Sequence, residues 1–129
     1  MERYPDIEIY LVCGNIERLQ QWLGAAFDSP VTFKRAGKGK WRSETQLDSK
    51  PVAILFMESA VDGFDSLWFD SASTPWARDV DCARAANRFL RVEVRCSLGS
   101  WQPGDDPDRF FKISPDGTEE VIDWPDSGQ

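Results

Sequence analysis

Six consecutive apolar residues, Val52-Ala53-Ile54-Leu55-Phe56-Met57, stand between Pro51 and Glu58. A bilayer span needs about 18–20 such residues, so this run is of strand length instead. It calls for a sheet in which it is a central strand, covered on both faces or carrying an aromatic patch on its outer side. The rest of the chain must supply its neighbours.

Ile7, Ile9 and Leu11 alternate with Glu8, Tyr10 and Val12, the period of a strand. Gly14-Asn15 breaks that pattern, with Asn15 placed to cap a helix on which Ile16, Leu19, Leu23 and Phe27 share a stripe. Ser29-Pro30 ends the helix. Val31-Thr32-Phe33 opens a second strand, and Gly37 and Gly39 mark a turn or bulged hairpin within residues 34–42. Asp62-Gly63 signals a turn before a short strand at Leu67–Phe69. A second helix is predicted from Thr74 as cap and Pro75 as first helical residue, with Asp79 and Asp81 near its positive end. Its stripe is Trp76, Val80, Ala83, Asn87 and Leu90, with Ala86 beside it. Val92, Val94 and Cys96 then read as a half-buried strand, and Phe110–Ile113, the turn Ser114-Pro115-Asp116-Gly117 and Glu119–Trp124 as a hairpin.

These elements predict an α+β fold, ferredoxin-like or a variant of it, in which an antiparallel sheet carries two helices packed on one face. Residues 1–124 are expected to form a single domain and residues 125–129 a disordered tail. The succession Leu67-Trp68-Phe69-Asp70, Ser73-Thr74-Pro75-Trp76, a helix, Val92-Glu93-Val94 and a hairpin through Asp116-Gly117 resembles the second half of YubB-type ferredoxin-like domains. Those are small bacterial proteins associated with plasmids or phage. The likeness covers roughly residues 66–124; it implies the fold and brings no catalytic residue with it.

The chain has no histidine. Serine–histidine–aspartate triads, cysteine–histidine pairs and histidine zinc sites are therefore excluded. Cys13, Cys82 and Cys96 are odd in number and widely spaced, which fits buried thiols in a reducing, cytoplasmic setting. Cys13, between a strand and a helix start, is the one candidate nucleophile for a small enzyme; a carboxylate pair is the other route. No phosphate-loop pattern occurs, because the glycines of residues 36–40 precede a strand and not a helix. Neither a cofactor nor a metal is expected, since Asp105, Asp106 and Asp108 lack the spacing of a calcium loop.

The net charge of −7 is segregated. Residues 102–129 hold eight acidic and two basic residues, a net of −6, which leaves −1 for residues 1–101. Such a tail argues against general nucleic-acid binding and suits a basic protein partner. The leading expectation is therefore a non-enzymatic interaction module, of accessory or immunity type. It would engage a basic protein through Asp105, Asp106, Asp108, Glu119, Glu120 and Asp123. The alternative lies in Lys34, Arg35, Lys38, Lys40 and Arg42, five cations within nine residues, interleaved with Phe33 and Trp41. Basic plus aromatic is the composition of single-strand nucleic-acid platforms. Trp41 and Trp68 are the tryptophans best placed for a contact surface, whereas Trp76, Trp101 and Trp124 are expected to be core or edge-covering residues.

Overall fold

Alternating apolar residues at the N-terminus form strand β1 (Ile7–Leu11) in the computed structural model, which describes residues 3–98 and 108–125. Helix α1 (Ile16–Phe27) follows, capped as expected: the Asn15 side chain accepts from the N–H groups of Glu17 at 2.8 Å and Arg18 at 3.3 Å. Its buried stripe is Leu19, Trp22, Leu23 and Phe27, so Trp22 joins the predicted residues and Ile16 is only partly covered. The helix ends where Asp28 adopts the left-handed conformation.

The basic segment becomes a hairpin of β2 (Lys34–Gly37) and β3 (Lys40–Leu47), with a register shift between Arg35 and Gly37. β2 starts after Phe33 and not at Val31. β3 continues to Leu47, along a stretch whose polar residues hid the strand from an apolar pattern search. The six-residue apolar run lies inside β4 (Lys50–Val61), which pairs with β3 on one side and β5 (Phe64–Asp70) on the other. Val52, Ile54 and Phe56 are buried, while Ala53 is exposed and Leu55 and Met57 are half-buried. The run is thus central but covered fully on one face only.

Helix α2 (Asp79–Leu90) begins three residues after Trp76, so the predicted Thr74-Pro75 start is corrected. Thr74 instead closes a tight turn: its buried hydroxyl donates to the Trp76 carbonyl at 2.7 Å and accepts from the Trp76 N–H at 3.2 Å. A hydroxyl engaged in that turn is not free to cap a helix. The chain then forms β6 (Val94–Ser97), β7 (Arg109–Ile113) and β8 (Glu119–Asp123).

All eight strands lie in one antiparallel sheet, ordered β2-β3-β4-β5-β1-β6-β7-β8. The helices contact one another and pack on the face that presents Ile7, Ile9, Leu11, Ile54, Phe56 and Phe69. Phe69 ties α1 to the segment leading into α2, with its ring centroid 6.1 Å from that of Phe27 and 5.3 Å from that of Trp76. Asn87, buried on α2, donates to the carbonyls of Val92 at 3.0 Å and Ser114 at 2.8 Å, fixing the helix end to the β7–β8 side. Among the described residues no helix is long and apolar enough to cross a membrane.

The face away from the helices has two different halves. At the β8 end, Phe64, Phe110 and Trp124 form a second, small core with Tyr10, and Arg95 lies over both Phe64 and Trp124 at 4.4 and 4.6 Å. At the β2 end, no helix or aromatic cluster among the described residues covers the sheet.

Candidate functional site

Strand register builds a groove at that open end. Lys34 pairs with Arg42, Arg42 with Leu55, and Leu55 with Trp68. Paired residues share a face of the sheet, so the four side chains form one row across β2, β3, β4 and β5. Neighbouring strands lie about 4.8 Å apart, giving a row of roughly 14 Å. The row lines a groove of about 740 Å³, which Arg35 and Ala36 reach from the edge strand. Trp68 is held in place because its indole N–H donates to Asp6 at 2.7 Å.

The six residues singled out in the basic hairpin do not converge as a unit. Lys34 and Arg42 face the groove, and Lys40, opposite Met57, lies on the same face beyond it. Lys38 sits in the β2–β3 turn. Trp41 pairs with Phe56 and therefore points to the helix side, where its indole N–H donates to Glu58 at 3.4 Å. The aromatic residue that joins the cations is Trp68, supplied by a strand more than twenty residues away in sequence. Among the described residues, no carboxylate lies within ion-pair distance of Lys34, Arg35, Lys38, Lys40 or Arg42.

The acidic candidates are arranged otherwise. Asp105 and Asp106 lie outside the described residues. Glu119 shares the helix face with Arg84, whose guanidinium donates to it twice, at 2.9 and 3.1 Å; those bonds pull its carboxyl below the ordinary range. Asp123 lies 3.5 Å from Arg109. Glu120, one residue from Glu119, projects from the opposite face, across from Lys112. Asp108 directly precedes β7, and its carbonyl accepts from the Trp124 N–H at 2.7 Å. The described carboxylates are thus divided between two faces, and Glu119 and Asp123 already hold a guanidinium.

Cys13 lies beyond β1, where burial pushes its thiol up and the nearby Asp65 and Glu58 carboxylates push it further. That environment opposes the thiolate a nucleophile needs. Cys82 and Cys96 are wholly buried and raised for the same first reason. At pH 7.5 an alkylating reagent is expected to label Cys13 slowly, and Cys82 and Cys96 only after unfolding. Rapid labelling of Cys13 in the folded protein, measured by mass spectrometry, would contradict this.

Comparisons of the chain with family models, with curated proteins and with solved structures give no match.

Proposed function

We propose that the protein is a non-enzymatic binding module that holds a single-stranded nucleic acid on the open sheet face between β2 and β5. The observation that carries this reading is the row Lys34–Arg42–Leu55–Trp68, which sets two cations and an aromatic ring along one groove. Cations track the phosphates of a strand, and an indole stacks on a base without demanding a particular sequence. The cations are unspent, since no described carboxylate neutralises them. The overall charge of −7 does not oppose this contact strongly, because it resides mainly beyond residue 101 and salt screens it over about 8–10 Å. Engagement of a basic protein through Glu119, Glu120 and Asp123 draws less support, as these residues are split between faces and partly paired.

We also read β1, α1, β4, β5, α2 and β6 as a ferredoxin-like core. Their strands are adjacent in the order β4-β5-β1-β6, the split β-α-β arrangement, with one hairpin added at each side of the sheet. The likeness of residues 66–124 to YubB-type domains belongs to the same proposal, and with it a plasmid or phage setting.

Fluorescence anisotropy with a labelled oligothymidine of about ten nucleotides, within the usual site size of such platforms, tests the reading. At ~50 mM salt the wild-type protein should bind, and log K should fall with log salt at about −0.7 per phosphate contacted. Trp68→Ala should cost about 1–3 kcal/mol, and Lys34→Ala and Arg42→Ala should each flatten the salt slope. Trp41→Ala, on the other face, should leave affinity unchanged. A wild-type protein that shows no binding at low salt removes the proposal.

A further inference from the structure

Two carboxylates share the groove with the cations. Glu44 pairs with Ala53 and Ala53 with Asp70, forming a second row one pleat away from Arg42, Leu55 and Trp68. Both acids line the groove, and neither meets a described cation within ion-pair distance. Ala53 between them is small and exposed, so the floor is low at that point. Carboxylates beside a phosphate-binding track weaken it, unless they contact a part of the ligand that carries hydrogen-bond donors.

Asp70 follows Trp68 by two residues on the same strand and the same face, which places their Cα atoms about 6.4–6.8 Å apart. That is within reach of the edge of a base stacked on the indole. A carboxylate presents two acceptor oxygens side by side. Guanine is the common base with two adjacent N–H donors, N1–H and the N2 amine, on its Watson–Crick edge. Thymine and uracil place one N–H between two carbonyls, which a carboxylate repels. Adenine and cytosine set one amine beside a ring nitrogen that is itself an acceptor.

We propose that Asp70 makes the groove prefer a strand carrying guanine, the base that can stack on Trp68 and donate twice to this carboxylate. The inference rests on the nucleic-acid reading of the groove. Three labelled strands separate the two: all-thymidine, the same strand with one central guanosine, and the same with inosine, which keeps N1–H and lacks the N2 amine. Guanosine should tighten binding about tenfold, in the range of a good bidentate contact, and inosine should lose most of that gain. Asp70→Asn should abolish the gain while binding all-thymidine at least as well as wild type. Glu44→Gln, about 10 Å away across β4, should retain the gain. If no strand binds, the groove reading fails and the preference with it. If all three bind equally, or if Asp70→Asn keeps the gain, the preference alone is overturned.

Discussion

Replacing Trp124 by alanine should destabilise the protein by about 3–5 kcal/mol, the usual cost of deleting a buried tryptophan. This side chain is 3% exposed although it stands next to the last described residue. Its ring meets Tyr10 at 5.4 Å, Phe64 at 5.1 Å and Phe110 at 5.2 Å, all edge-on, and Arg95 stacks over it. Its N–H donates to Asp62 at 3.1 Å, so one residue fastens the C-terminal strand to the β4–β5 turn. Truncation removes three ring contacts and leaves the Arg95 guanidinium with one aromatic face instead of two. A loss of this size is a large part of the 5–15 kcal/mol that typically holds a domain together. Urea unfolding should show a markedly lower midpoint, with Trp124→Phe recovering part of it by keeping the apolar ring without the N–H. An unchanged midpoint in Trp124→Ala would mean that β8 and the small core add nothing to folding.

Asp79→Asn should make the protein more stable at neutral pH, with a gain that disappears in acid. β1 and β6 pair only through Tyr10–Arg95 and Leu11–Val94. Beyond that point the Asp79 carboxyl bridges them, accepting from the Glu8 N–H at 3.1 Å and the Ser97 hydroxyl at 3.0 Å. Burial, reinforced by the charges of Asp6 and Glu8, raises its pKa from 3.8 to about 6 despite those two bonds. The groups around it are Asp6, Glu8 and Tyr10 from the β1 side and the Cys82 and Cys96 thiols; the nearby Arg78 is engaged by Asp81 at 3.2 Å. A carboxyl with a raised folded pKa supports the fold fully only below about pH 3.8, and that support is lost as pH rises through 6. The loss is at most about 3 kcal/mol. Asparagine keeps an acceptor for Glu8 and can donate to Ser97, with no charge to bury. Urea titrations of both proteins from pH 4 to 8 should diverge between pH 4 and 6 and run parallel above. A difference that does not change with pH would refute the assignment.

Where an element buried a periodic apolar pattern, it was legible in the sequence. β1 and α1 with its Asn15 cap fall close to their expected limits; the β7–β8 hairpin does so through its Ser114-Pro115-Asp116-Gly117 turn, since β8 itself is mostly exposed. The start of α2 was misread because Thr-Pro is an equally good signal for a tight turn, and the Thr74 hydroxyl is used there. β3 was underread because alternating Arg42, Ser43, Glu44, Thr45 and Gln46 carry little apolar contrast. Of the groove, the cations were visible as a cluster and Trp68 as a tryptophan suited to a contact surface; in the structure it is half-buried. Their meeting was not visible, because it depends on the registers of β3, β4 and β5. Trp41 lies beside the cations in sequence yet points to the other side of the sheet, since adjacent strand residues face opposite ways. Glu44 and Asp70, twenty-six positions apart, became neighbours of the same alanine by the same rule.

The β2–β3 hairpin carries Lys34 and Arg42 on outward positions, whereas the helices rest on the other side of the sheet. If the groove binds a strand as proposed, affinity and folding rest on different atoms. Exchanging the hairpin's exposed charges would then redirect it toward a new class of ligand while melting behaviour stayed nearly fixed. The proposed contact surface could thus change quickly on an architecture that does not.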